Sequence, residues 1–223
     1  MQAVVTELNQ CHRIGDVQFC MRIVGGPEIE CSCRDFLHLR PEEEALLRGC
    51  LDGLRIVRTL DIGCGIGRHS ALVQSLVPHA AITLVESDKQ LRDYCAERIA
   101  GARVFEHFDD LPADSRFDLA ILMGNGLGIF GTEDATLQAL QRLHGLMAPE
   151  GSVLIESGSF TQDDFSSARH EIEYDGAVDG PFTWGYATRR WLQRSLDAVG
   201  FTGISVTPSN HSGTFYICHA KKL

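Results

Sequence analysis

The sequence has no apolar run long enough to cross a bilayer, so no membrane-spanning segment is expected. Its first residues, Met1-Gln2-Ala3-Val4-Val5-Thr6-Glu7, lack the basic-then-apolar layout of a signal peptide, and the expected location is cytoplasmic. Basic charge is in short supply. Twenty Lys and Arg stand against thirty Asp and Glu, a formal net charge of −10. That excess excludes a protein whose main task is to grip a phosphate backbone, so no nucleic-acid partner is expected, while a nucleotide or small acidic substrate stays compatible. The eight cysteines lack the repeated pairs of a zinc site. The closest pair is Cys31-x-Cys33, with Cys11 and Cys20 upstream. Cys64 falls in a glycine turn, and Cys50, Cys95 and Cys218 fall in apparent core elements. They read as reduced thiols acting as small hydrophobes, with no metal expected. There is no internal repeat and no low-complexity segment.

What the sequence does have is one stretch around which the rest is organised, Thr59-Leu60-Asp61-Ile62-Gly63-Cys64-Gly65-Ile66-Gly67-Arg68-His69-Ser70. Ile56, Val57, Leu60 and Ile62 make the near-continuous apolar run of a strand covered on both faces. Gly63, Gly65 and Gly67 then clear side chains from a turn and let a ligand approach the backbone. A helix starting near Arg68 would aim free N–H groups back at that turn. The dinucleotide fingerprint G-x-G-x-x-G fits Gly63 and Gly65 but meets Arg68 at its third glycine, and the G-K-[S/T] ending of a P-loop is missing.

Length and pattern predict an α/β chain. Residues 1–54 read as an N-terminal extension packed on the core. In it, two extended runs, 16–24 and 28–33, flank Gly25-Gly26-Pro27 as a hairpin. A helix follows, opened by Pro41 and the acids Glu42 to Glu44, with Ala45, Leu46, Cys50 and Leu51 as its apolar stripe. From 55 to 223 strands and helices alternate. Strands are predicted at 81–86, 102–106, 117–123 and 152–156, after the first at the glycine turn. Helices are predicted at 68–76, 88–99, from Thr132 to about Met147, and at 188–199, with 148–151 a turn. An insertion at about 160–187 carries a second hairpin, 169–175 and 181–186. The last two runs, 201–206 and 214–219, are joined by too short a loop for a helical crossover and should pair antiparallel.

Ligands of open parallel sheets lie beyond the carboxyl ends of the strands. The acid Asp61 ends the first strand, and Glu86 ends the second, where its charge suits both hydroxyls of a ribose. The fourth ends in Gly124-Asn125-Gly126-Leu127-Gly128-Ile129-Phe130-Gly131. Glycines there would bring a substrate close to the backbone, and Asn125 offers a donor and an acceptor.

The run Asp61-x-Gly63-x-Gly65-x-Gly67 resembles the first motif of class I S-adenosyl-L-methionine (SAM)-dependent methyltransferases, and Val85-Glu86-Ser87-Asp88-Lys89-Gln90-Leu91 is similar to their second. The Gly124–Gly131 run and Pro181-Phe182-Thr183-Trp184 look like a subgroup of bacterial small-molecule methyltransferases. The resemblance implies a doubly wound, seven-stranded, mostly parallel Rossmann-like sheet with an antiparallel last strand, with SAM as cofactor. It implies that Asp61, Gly63, Cys64, Gly65, Gly67 and Arg68 surround the amino-acid end of SAM. Glu86 and Ser87 would then meet the ribose, and Gly124 and Asn125 the cofactor and acceptor. Register by Leu111-Pro112 puts His107 or Phe108 at the adenine, with Asp109 nearby.

Methyl transfer from a sulfonium needs alignment more than covalent help, and a base only where the acceptor must lose a proton. Asn125 is the first catalytic candidate. Candidates for a base are His69, His12, His38, His170 and Tyr186, and His69 could equally cap its helix or touch the cofactor carboxylate. Trp184 and Tyr186 could form an aromatic wall. An Asn-Pro-Pro-Tyr tetrapeptide and a Pro-Cys nucleophile are both missing, which argues against DNA-amine and cytosine-carbon methylation. The reading is methyl transfer to N or O of a small molecule. The alternatives are a catalytically inactive partner protein of the same fold, or an NAD-dependent oxidoreductase. A homodimer is left open.

Overall fold

The computed structural model describes residues 18–26, 28–32, 38–52, 58–174, 176–209 and 214–223. The expected roles of Cys11, His12, Cys33, Ile56 and Val57 lie outside these residues.

The first parallel strand pair forms where the apolar run ends in the glycine turn. Strand β3 (Arg58–Ile62) lies between β4 (Ala81–Val85) and β6 (Phe117–Leu122), parallel to both. The chain steps outward through α2 (Arg68–Leu76), β4, α3 (Lys89–Arg98) and β5 (Arg103–Phe105). It then returns through β6, α4 (Glu133–Leu146) and β7 (Met147–Gly158) on the other side of β3. Helix α5 (Arg189–Val199), β10 (Phe201–Pro208) and β11 (Phe215–Lys222) complete a seven-stranded sheet of order β10-β11-β7-β6-β3-β4-β5. Strand β11 runs antiparallel to both β7 and β10, as the short loop required. Strand order reverses between β3 and β6, which places a crevice at their carboxyl ends.

Successive residues of β6 show why this sheet reads as a continuous apolar run. Leu119 and Ile121 join one core cluster, with Leu47, Val73, Leu154 and Ile217. Ala120 and Leu122 join the other, with Leu60, Leu140, Leu143, Val153 and Leu192. Both faces are dry, so truncating one of these leucines to alanine would cost about 2–5 kcal/mol. Local rules set the helix ends. Thr132 caps α4 through Ala135 N–H, Thr188 caps α5 through Trp191 N–H, and Gly200 ends α5 in the left-handed region.

Two expectations change. Helix α1 (Pro41–Leu51) buries Glu43, Leu47, Cys50 and Leu51, while Ala45 is exposed. A stripe at 43, 47, 50 and 51 matches the helical period, with a carboxylate at its first position. The turn expected at 148–151 lies inside β7 as a bulge, because β6 pairs Phe117 with Met147 and then Leu119 with Ser152.

The second sheet could not be read locally. Strands β1 (Gln18–Ile23) and β2 (Glu28–Ser32) form the N-terminal hairpin, and β8 (Phe165–Tyr174) and β9 (Ala177–Ala187) the later one. They are not separate. Strand β1 pairs antiparallel with β8, Ile23 opposite His170, giving one sheet of order β2-β1-β8-β9. Arg22 spans the seam between Glu28 (2.7 Å) and Glu173 (2.8 Å). Strand β9 packs onto the turn Gly126–Phe130 that follows β6.

Candidate active site

The glycine turn is tied to β4 by its own backbone. Gly63 N–H and Cys64 N–H both donate to Val85 O, at 2.8 and 3.2 Å. Gly63, Gly65 and Gly67 all have positive φ, a conformation that disfavours side chains. Their surroundings differ. A Cβ on Gly65 would meet nothing within 4 Å, whereas one on Gly67 would lie 2.5 Å from Ile99 Cδ1. Space is therefore open over Gly65, while the missing side chain at Gly67 makes room for Cys95 and Ile99 at the end of helix α3. Cys64 likewise turns its thiol into the fold, 4.0 Å from Cys95 Sγ, leaving only its backbone to the crevice.

Both predicted acids sit at strand ends. Glu86 is buried, with Oε2 accepting from Gly65 N–H (2.9 Å) and Oε1 from Asp88 N–H (3.0 Å). Burial raises its pKa against the pull of those two N–H bonds. Asp61 accepts from Ser70 Oγ–H at 2.7 Å. Its pKa is also raised by burial, opposed by His69, Ser70 and Arg68. Ser87 is exposed, its carbonyl accepting from Arg92.

Arg68 and His69 do not face the crevice alone. Arg68 donates to Glu43 Oε1 (3.0 Å) and to His38 O (3.1 Å). Arg40 donates to the same Glu43 oxygen (2.7 Å) and to Glu156. His69 is buried, its Nε2 3.8 Å from Glu43 Oε1 and without a hydrogen-bond partner. Arg68 is thus a charge partner of a protein carboxylate in this structure. Burial alone would push the Glu43 pKa up. His69, Arg68 and Arg40 around it hold it well below the usual carboxylate range.

The turn after β6 takes an unusual shape. Gly124 and Asn125 have φ of 67° and 56°. Their N–H groups converge on Glu156 Oε2, at 2.6 and 3.3 Å. Asn125 Oδ1 is buried and accepts no hydrogen bond. A Cβ on Gly124 would meet only Arg68 Nη2, at 3.9 Å. The other glycines have a different reason. Gly128 lies under Trp184, and Gly131 under Thr183, so they make room for β9, not for substrate.

On the far side, the turn Phe108–Asp110 follows β5. Phe108 lies in the core, edge-on to Phe130 (5.8 Å between centroids), with Arg142 over its ring. Phe108 is thus buried between the turn and α4. His107 and Asp109 are exposed. Of the base candidates, His170 and Tyr186 meet, Tyr186 Oη lying 2.9 Å from His170 Nε2 on the inner face of the second sheet. Burial lowers the His170 pKa and, with Cys31, lifts that of Tyr186 to about 12. His38 is exposed.

Sequence reading missed Arg40, Glu43 and Glu156. For Glu156 the signal was present. It is an acid at the carboxyl end of a parallel strand, as Asp61 and Glu86 are. Among the described residues no cluster of three or more His, Cys, Asp or Glu could hold a metal, and no helix is long and apolar enough to cross a membrane.

A seven-stranded sheet of this order with its last strand antiparallel is the Rossmann-like methyltransferase fold. The family of methyltransferase domains matches residues 59–151, so that stretch is similar to a methyltransferase domain. Structural comparison extends the likeness over the whole chain. A SAM-dependent methyltransferase from Bacteroides fragilis, solved with S-adenosyl-L-homocysteine, has a TM-score of 0.77 at 18% identity, over 99% of this chain and 94% of that one. An amino pentose methyltransferase from Micromonospora echinaspora has a TM-score of 0.60 at 14% identity, over 82% and 89%. A 1,6-didemethyltoxoflavin-N1-methyltransferase from Burkholderia thailandensis has 0.57 at 22%, over 80% and 76%. No curated protein matches in sequence.

Proposed function

We propose that the chain transfers the methyl group of SAM to a nitrogen or oxygen atom of a small molecule. The observation that carries this reading is the meeting of three parts at one crevice. They are the open turn at Gly65, the buried carboxylate of Glu86 and the unpartnered carbonyl of Asn125. The residues suit the cofactor. Space is clear over Gly65 and Gly124, Glu86 offers a charged acceptor to ribose hydroxyls, and Asp61 offers negative charge at the amino-acid end. The turn at His107, Phe108 and Asp109 would border the adenine. SAM, when bound, supplies an electrophilic methyl on a sulfonium that leaves as a neutral thioether.

The chain's own part is alignment. Holding the acceptor in line with the sulfur and excluding water can supply about 7–11 kcal/mol of the barrier. Asn125 Oδ1 would accept from an N–H or O–H of the acceptor and so orient its lone pair. His170, paired with Tyr186, is the candidate to receive a proton from an acceptor that must lose one. The second sheet, built from the 1–54 extension and the 160–187 insertion, would cover the acceptor on the rest of the chain (55–223) and select it. Small acceptors are in keeping with the fold's relatives, which include an amino pentose methyltransferase.

Calorimetry with SAM, S-adenosylhomocysteine and NAD, followed by a panel of amines and phenols with release of S-adenosylhomocysteine as the readout, tests the reading. Heat with both sulfur compounds and product with an amine or phenol is expected. Heat with NAD alone would replace the reading by an oxidoreductase. SAM binding without turnover across the panel would favour an inactive partner protein.

A further inference from the structure

We propose that Glu156 is a positioning residue for methyl transfer, holding the Gly124–Asn125 turn in its left-handed form with Arg40 as its charge partner. The inference rests on the reading that Asn125 faces the acceptor. Two consecutive residues at positive φ turn their N–H groups to the same side and form a small anion-binding hollow. Glu156 fills it from the next strand, its Oε2 taking both N–H groups and its Oε1 taking Arg40. Only 1% of Glu156 is exposed, so these bonds work in a poorly solvated setting where charge assistance counts most.

The conformation needs such support. Asparagine tolerates the left-handed region better than most side chains, but it is still strained there. Among the described residues the only other non-glycine at positive φ is Glu150, in the β7 bulge. The position of Asn125 Oδ1, buried and unpartnered at the crevice, follows from that backbone. Released into the ordinary helical or extended region, residue 125 would swing its amide elsewhere. Arg40 adds a second level. It stands just before α1, bonds Glu43 and Ser209 O, and so links the N-terminal helix to the acceptor turn through Glu156.

The test uses the full chain, labelled with 15N, in Glu156→Ala and Glu156→Gln forms, with S-adenosylhomocysteine as the binding probe. In the parent, charge-assisted bonding should shift the Gly124 and Asn125 amide protons downfield. Glu156→Ala should move both upfield and lower turnover about 100-fold, the scale of a misplaced reacting group, with S-adenosylhomocysteine affinity held within about threefold. Glu156→Gln keeps an oxygen for the two N–H groups while turning its NH2 toward Arg40. It should leave both amide protons downfield of their positions in Glu156→Ala but less so than in the parent, because the charge is gone, and recover turnover to within about tenfold of the parent. Amides unmoved in Glu156→Ala overturn the proposal whether or not an acceptor is in hand. So does parent-like turnover in that variant, or loss of S-adenosylhomocysteine binding in both variants. If Glu156→Ala does not fold, the Gln form decides: Gly124 and Asn125 amide protons that keep the full downfield shift of the parent overturn the proposal. Failure of the methyltransferase reading is separate, appearing as no SAM binding by the parent.

Discussion

The indole of Trp184 rests on the backbone of Gly128, so closely that a Cβ on that glycine would overlap the ring nitrogen. This contact joins the second sheet to the turn that carries Asn125. Gly128→Ala should destabilise the protein by about 1–3 kcal/mol, the usual cost of overpacking a filled site. Adding Trp184→Ala should restore part of the loss, because the two changes share one contact. Urea titration of the single and double variants measures the coupling, and additive losses would disprove the contact.

Removing the carboxylate of Glu86 should act on cofactor binding. Glu86→Ala leaves Gly65 N–H and Asp88 N–H without their present acceptor and removes the group offered to the ribose. Hydrogen bonds to a charged group are worth about 1.5–3 kcal/mol, so SAM affinity should fall about 10- to 100-fold. Calorimetry reads the change directly, and unchanged affinity would remove Glu86 from the site.

Glu43 should matter more for stability than any surface acid. Glu43→Ala leaves Arg68, a guanidinium only 11% exposed, beside Arg40 with their shared carboxylate gone. Loss of one partner from a buried pair costs about 3–5 kcal/mol. The ionised Glu43 has a depressed pKa. Its contribution is therefore complete above its ordinary value of 4.5 and is lost as pH falls through the lower folded value. Melts of parent and variant from pH 7 to 3 should draw closer below pH 4.5 without meeting at pH 3, where the folded carboxylate is still ionised.

Histidines set the next step up in pH. Burial lowers the pKa of His144, His170 and His219 below 6.5 in the folded protein. The unfolded chain then binds more protons, so stability should fall as pH drops below 6.5 toward the lower folded values. His170→Gln should make that decline shallower than in the parent. Thermal melts between pH 8 and 5 check it, and parallel curves would exclude a contribution from His170.

Much of the fold was legible because it rests on local signals. The apolar run ending at Ile62, the glycines, Pro41, Thr132 and Gly200 each act over a few residues, and their elements formed where expected. Glu86 was legible for the same reason, as an acid closing an apolar strand. Glu43 was not. It looked like one of three helix-start acids, and only the approach of Arg68 from another helix distinguishes it from Glu42 and Glu44. Gly67 and Gly128 were legible as glycines but not in purpose, since the neighbours that exclude a side chain, Ile99 and Trp184, arrive from distant segments.

By itself the sequence determined the parallel sheet, the glycine turn and the acids that end its strands, because periodicity and glycine placement are written in consecutive residues. Tertiary structure alone decided that β1 pairs with β8 to make a second sheet, and that Glu156 holds the turn of Asn125. It also brought Arg40 and Arg68 together on the single carboxylate of Glu43. Those are pairings between residues up to 153 positions apart, made by edge hydrogen bonding and charge in a buried setting. Neither leaves a local pattern to read.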